Sequence, residues 1–186
     1  MLKLRKKYKS GNAFESIRDA ILFGDISGQI AQNEFADSLG VSRIPVREAL
    51  ITLEYHGLIE KLPNQHVEII ELNESSVKDL FTDMSLLELE VIKSLSSEKL
   101  QTLSSLSHSE FHREICWLTK SPLRKIFLKT IIETYLMFVL EHSDLTSVFG
   151  KLQSSLGNFA DLRNCYSIYA DALASELIDI RRLSNS

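Results

Sequence analysis

A chain of 186 residues with 44% hydrophobic and 25% charged residues has room for one large domain or two small ones and the make-up of a soluble globular protein. Its net charge of −4 excludes a wholly basic nucleic-acid coat, although an acidic protein can carry a local basic site. No run approaches the ~18 uncharged apolar residues of a membrane span, and the N-terminus lacks the apolar core of a signal peptide, so no membrane association is expected.

Five basic residues crowd the first nine positions: Lys3, Arg5, Lys6, Lys7 and Lys9. This cationic arm, residues 1–12, reads equally as a solvated terminus or as a contact to phosphates. From Ala13 to Phe23 the apolar residues Phe14, Ile17, Ile21 and Leu22 recur at helical spacing, and Gly24 stops the helix. Gln32 to Leu39 predicts a second helix with Phe35, Ala36 and Leu39 inward, closed by Gly40.

Ser42 is placed to cap a third helix, and Pro45 falls in its first turn, where a missing N–H costs little. Val46, Ala49, Leu50 and Leu53 then form the packed stripe, which leaves Arg43 and Arg47, four residues apart, on a common outer face. Gly57 ends this helix, and Leu58–Lys61 and Val67–Ile70 predict two short strands around Leu62-Pro63-Asn64-Gln65-His66. Asn64 tolerates positive φ, which suits the hairpin tip. The order helix, helix–turn–helix, hairpin is a winged helix-turn-helix.

A helix fits the major groove of B-DNA, with residues near its N-terminus meeting base edges and phosphates. The guanidinium groups of Arg43 and Arg47 can grip guanine or phosphate through paired hydrogen bonds. Ser42 and the first backbone N–H groups, near Pro45, suit a phosphate, and Ile44 suits a thymine methyl. On the wing, Asn64, Gln65 and His66 are candidates for the minor groove and Lys61 for the backbone. A lone arginine pair is usually just exposed charge; here cap, spacing, support and wing agree.

Leu39-Gly40-Val41-Ser42-Arg43, then Pro45-Val46-Arg47-Glu48-Ala49-Leu50, Leu53 and Gly57-Leu58-Ile59, closely resemble the GntR superfamily of bacterial winged-helix transcription regulators. The resemblance covers roughly Phe14 to Leu72. It implies a homodimer on a palindromic operator, with Ser42, Arg43, Ile44 and Arg47 at the recognition positions and Asn64 in place of a wing glycine. The approach to the second helix, Gly24-Asp25-Ile26-Ser27-Gly28-Gln29-Ile30, is shorter than the family's, so the small strand often found there is expected to be distorted or absent.

At Leu72-Asn73-Glu74-Ser75-Ser76 the pattern changes, dividing the chain into residues 1–72 and 73–186. This joint is short, so it can transmit orientation. Everything beyond reads as helix: Val77–Leu95, Glu98–Leu106, Ser109–Leu118, Pro122 to about His142, Leu145–Phe159 and Asp161–Leu183. The segment after Pro122 is apolar nearly all round and is expected at the centre of a bundle or in a dimer interface. The fold class is mostly α, a winged helix-turn-helix plus an all-helical bundle.

The helical half resembles the FadR-like branch of that superfamily, in which a bundle holds a small carboxylate or similar effector, often beside a metal. Ser109-Glu110-Phe111-His112 resembles the branch's Asp-x-x-Phe-His motif, with His108 where the aspartate belongs and His112 at the metal-binding histidine. Met84 stands where the branch often has arginine, Glu88 matches its following glutamate, and Glu176 falls where a later histidine would be. The resemblance therefore implies an effector site at Glu88, His112, Tyr135 and Glu176 for a small organic acid or sugar-derived ligand. It also implies a divalent-metal site (Zn, Ni or Mn) at His108, His112 and Glu176.

The plainer reading makes His112 a satisfied core histidine and His108 a helix cap. The bundle is then either a metal-free pocket or a dimerisation platform without effector. Catalysis is not expected: His108-Ser109-Glu110-Phe111-His112 has no glutamate directly after the first histidine, as a zinc protease requires. Cys116 sits beside Trp117 and Leu118, where a thiol is buried and inert. Cys116 and Cys165 lie far apart, which argues against a disulfide framework and for a reducing cytoplasm.

Overall fold

The computed structural model describes residues 12–184, so the basic arm lies almost wholly outside the described residues. Two compact units emerge. The first closes at Leu72 and takes in the chain from Ile180 onward, and the second is Asn73–Asp179.

In the first unit, α1 (Ala13–Leu22) starts at Asn12, whose side chain accepts a hydrogen bond from the Glu15 N–H at 2.9 Å. Strand β1 (Gly28–Ala31) runs directly into α2 (Gln32–Leu39), and α3 (Arg43–Tyr55) follows. Gly40 at φ 70° turns the chain between α2 and α3 in the left-handed region that side chains with a Cβ resist. Strands β2 (Ile59–Leu62) and β3 (His66–Ile69) form the wing, and the antiparallel sheet has the order β1-β3-β2.

The expectation about β1 is corrected here. The shortened approach still yields a strand, pairing Ile30 with Val67 and Gln29 with Glu68. Four residues suffice because β3 supplies the backbone partners and Ile30 is buried.

Helix α3 packs against both α1 and α2. Ile17, Ile21, Phe35, Val46, Leu50, Leu53, Leu58 and Val67 are essentially inaccessible to solvent. Burying each such side chain is worth roughly 1.5–3 kcal/mol, which dominates the stability of so small a unit. A polar contact closes it: the Arg181 guanidinium donates to the carbonyls of Ile21 at 2.7 Å and Leu22 at 3.3 Å. Both carbonyls lie in the last turn of α1, where a cation meets the negative end of the helix dipole, and that of Ile21 also accepts the Gly24 N–H at 2.9 Å.

The second unit is helical. Helix α4 (Glu74–Ile92) is capped by the Asn73 side chain, which accepts from the Ser76 N–H at 2.9 Å. Helices α5 (Ser97–Ser104) and α6 (His108–Leu118) follow, then α7 (Pro122–Ile131), which continues through a π-helical turn (Ile132–Leu136) into α8 (Met137–His142). Helices α9 (Thr146–Ser154) and α10 (Phe159–Ser184) follow. Helix α4 packs on α6 and α7, and α5 on α6 and α9.

The helix after Pro122 is only partly central. Leu128, Ile131, Ile132, Leu136, Phe138 and Val139 are buried, but Leu123 is 80% exposed and Ile126 and Phe127 are each 45% exposed. Its first turns therefore present an apolar face outward. No described helix is long and apolar enough to cross a membrane.

Replacing Arg181 by alanine should leave two carbonyls of α1 without their charged donor and destabilise the chain by about 1–2 kcal/mol. Urea unfolding followed by far-UV circular dichroism measures this, and an unchanged midpoint would show the contact to be energetically idle.

Candidate functional site

The outward face of α3 follows from its inward one. With Val46, Ala49, Leu50 and Leu53 packed against α1 and α2, the helical repeat turns Arg43, Ile44 and Arg47 to solvent, Ile44 at 70% exposure. Ser42 occupies the N-cap with an extended backbone, but its side chain makes no capping hydrogen bond. The expected hydroxyl cap is thus not formed within the chain. The exposed Ser42 stands at the positive end of the α3 dipole, directly before Arg43.

A groove of about 420 Å³ runs along this face, walled by Asn33 of α2, Arg43, Arg47 and Ile51 of α3, and Lys61 and Gln65 of the wing. Three elements thus bring two guanidinium groups and one ammonium to a single trough. Asn33 and its neighbour Gln32, at the start of α2, were not among the sequence-derived candidates. Nor was Ile51, half-exposed two turns beyond Ile44. Their signal was faint: polar residues in a first turn usually only cap.

On the wing, Pro63–Gln65 form a 3₁₀ turn with Asn64 at φ 67° and Gln65 at φ 60°. Asn64 accepts this backbone readily; Gln65 is held in it by the hairpin. The His66 Nδ1–H donates to the Asn64 carbonyl at 2.9 Å, which fixes the ring and leaves Nε2 as its outer atom. Lys61 pairs with Glu54 of α3, and this hydrogen bond holds the Glu54 carboxyl below its ordinary range. Such a surface pair is worth at most about 1 kcal/mol, so an incoming anion can redirect the ammonium.

The second unit holds a different site. Glu88 of α4 and His112 of α6 are wholly buried, with the imidazole Nδ1–H 2.8 Å and 2.9 Å from the two carboxylate oxygens. The Tyr166 hydroxyl of α10 donates to the same carboxylate at 3.0 Å. His112 Nε2 meets the Tyr169 hydroxyl at 2.8 Å, and His108 Nε2 meets that hydroxyl at 2.6 Å. His112 Nδ1 is paired with the Glu88 carboxylate, and the Tyr169 hydroxyl, with one hydrogen to give and lone pairs to receive, donates to one imidazole and accepts from the other. His108 is neutral, because burial and its neighbour His112 push it down to about 3. The stacked ring of Phe149, 3.9 Å away between centroids, supplies part of that burial.

The metal triad expected from the resemblance is not assembled. Among the described residues no three histidine, cysteine, aspartate or glutamate side chains are grouped to hold an ion. His108 and His112 do converge, but Glu176 lies seven residues beyond Tyr169 on α10, about 10 Å further along the helix axis. For the same reason the expected effector set is only partly joined, with Glu88 bonded to His112 and Glu176 two turns away. Tyr135 is buried in the π-helical turn, and desolvation pushes its phenol well above the ordinary range. Tyr166 and Tyr169 were missed; on paper they look like core aromatics three residues apart.

Beside His108 a cavity of about 470 Å³ opens to solvent, lined by Ser109 and Arg113 of α6, Leu140 and Glu141 of α8 and Thr146 of α9. The Cys116 thiol is buried and faces the Lys125 carbonyl at 3.6 Å, and burial pushes it up, away from the reactive thiolate.

Comparison with known proteins places the first unit. Over 71 residues the chain is 34% identical to an uncharacterised HTH-type transcriptional regulator in the TAR-I ttuE-ttuC' intergenic region of Agrobacterium vitis, a match covering 37% of this chain and 42% of that protein. The chain thus spans under half the length of that curated relative. A solved structure described as Lar, which controls the expression of the Listeria monocytogenes agr system, aligns over 99% of both chains at 18% identity with a TM-score of 0.53, a likeness of fold. E. coli McbR/YncC aligns over 100% of both chains at 15% identity with a TM-score of 0.49. Residues 9–69 match the model for bacterial regulatory proteins of the gntR family. The winged helix-turn-helix of this chain is therefore a GntR-family domain.

Proposed function

We propose that this protein is a cytoplasmic, sequence-specific transcription regulator. In this reading it binds a palindromic operator as a homodimer and responds to a small effector in its helical unit. The observation that carries the DNA-binding part is the groove in which Arg43 and Arg47 of α3 stand beside Lys61 and Gln65 of the wing. Two guanidiniums one helical turn apart can reach base edges or phosphates of one half-site, while the wing meets the neighbouring minor groove. Ser42, Ile44, Pro45, Asn64 and His66 complete the contact surface.

A dimer is supported by the apolar face of α7. Leu123, Ile126 and Phe127 project from it, and Trp117, 74% exposed, stands at the end of α6 with the Lys125 ammonium 4.8 Å from its ring centre. The occupant that fits is a second copy, because a two-fold operator calls for a self-complementary surface.

The effector part rests on the cavity beside His108, where Arg113 offers a cation and Ser109 and Thr146 offer hydroxyls suited to a small organic acid or a sugar-derived ligand. Binding there would shift the population of dimer arrangements and so the half-site spacing. A second reading, a helical unit that serves only as a dimerisation platform, is favoured by how completely Glu88, His112, Tyr166 and Tyr169 satisfy one another.

Arg47→Ala should weaken operator binding by about 1–3 kcal/mol, and where the lost contact is to phosphate it should lower the salt slope by about one. Salt-controlled fluorescence anisotropy measures both, and unchanged affinity would remove α3 from the recognition role. Leu123→Glu should convert the dimer to monomer in sedimentation analysis, and a wild-type chain that sediments as a monomer at micromolar concentration would sink the dimer. In a thermal-shift screen of small carboxylates and sugars, a stabilising compound whose effect is lost in Arg113→Ala would favour the effector reading. Silence across the screen would favour the platform.

A further inference from the structure

Two imidazoles inside the helical unit aim their Nε2 atoms at one point. An ion held by both would have to sit there, about 2.0–2.1 Å from each nitrogen. The Tyr169 hydroxyl oxygen is at that point, 2.6 Å from His108 and 2.8 Å from His112. Ligand atoms around a tetrahedral ion stand roughly 3.3 Å apart given those bond lengths. The observed separations are hydrogen bonds and leave no position for an ion between oxygen and nitrogen.

We propose that the tyrosine hydroxyl takes the place of a metal ion here, making the centre of the helical unit a metal-independent cross-link between α4, α6 and α10. This goes beyond the DNA-binding reading and does not depend on it.

The surroundings support it from both sides. Glu88 grips Nδ1 of His112, as a carboxylate behind a metal-bound histidine does, so the ring is oriented as if toward an ion. In this chain that orientation delivers Nε2 to Tyr169. The opposite histidine is fixed as well, by the same hydroxyl and by the Phe149 ring.

Among the described residues no third ligand is at hand: Glu88 is committed on the far side of His112, and Glu176 is two helical turns along α10. The fully buried phenol gives and receives one hydrogen bond each, which satisfies it without charge.

The test uses the full chain purified without a histidine tag. The protein is incubated with Zn²⁺, Ni²⁺ or Mn²⁺, dialysed, and assayed for metal content and melting temperature. The wild type should retain no metal, and its melting temperature should be the same with metal and with EDTA. Tyr169→His should retain close to one Zn²⁺ per chain and melt higher with it.

Tyr169→Phe removes the hydroxyl but keeps the ring, and should melt lower than wild type whether or not metal is present. Stoichiometric metal in the wild type that is lost in His112→Ala would overturn the proposal. So would a folded Tyr169→His that takes up no metal, or a Tyr169→Phe as stable as the wild type. If Tyr169→His fails to fold, the wild-type and Tyr169→Phe measurements still decide.

Discussion

Burial of one stripe of α3 settles where everything else on that helix points. Val46, Ala49, Leu50 and Leu53 have to leave water together, and a helix with 3.6 residues per turn can bury them only by turning Arg43, Ile44 and Arg47 outward. The rest of the N-terminal unit serves that orientation. Helices α1 and α2 supply the apolar surface against which the stripe packs, and Arg181 satisfies the carbonyls where α1 stops. The sheet then brings Lys61 and Gln65 alongside the arginines. The cationic face is stable here because Arg43 and Arg47 keep their charge in water and the partly covered Lys61 is paired with Glu54, while apolar burial is confined to the core.

The helical unit solves the opposite problem. Glu88 is a carboxylate with no access to solvent, and an unpaired buried charge is among the most destabilising groups a fold can contain. It is tolerated because two donors from two other helices, His112 of α6 and Tyr166 of α10, reach it at hydrogen-bond distance. Tyr169 and His108 extend the chain of bonds to the edge of the solvent-exposed cavity. Helices far apart in sequence are thus held in register by directional contacts rather than by apolar packing alone. The two units differ in kind: one keeps its polar groups open to a partner, and the other turns them on each other.

Much of the first unit was legible in the residues. The helix spanning Gln32–Leu39 was read to the residue, because Gly40 and the spacing of Phe35, Ala36 and Leu39 are local signals. The strand β1 was not, because the four residues Gly28-Gln29-Ile30-Ala31, with a glycine and a single buried apolar side chain, acquire strand geometry only from the partner β3. Ser42 was read as a hydroxyl cap and stands at the cap position without the bond, since rotamer choice is not written in sequence. In the helical unit the helices were visible but their contacts were not. Glu176 was paired with His108 and His112 by alignment, whereas Tyr169, two turns earlier on the same helix, is the residue that meets them.

What the residues alone determined is therefore what depends on near neighbours: helical periodicity, the stop at Gly40, the positive φ at Asn64 and the shared face of Arg43 and Arg47. These follow from backbone sterics and from a repeat of three to four residues, and no distant part of the chain can reverse them. Only the tertiary structure decided that Tyr169 bridges His108 and His112, that Glu88 is held by His112 and Tyr166, and that Leu123, Ile126 and Phe127 face outward. Those outcomes join residues dozens of positions apart. Which of several chemically suitable partners a buried group meets is set by how whole helices pack, and sequence spacing carries no record of that.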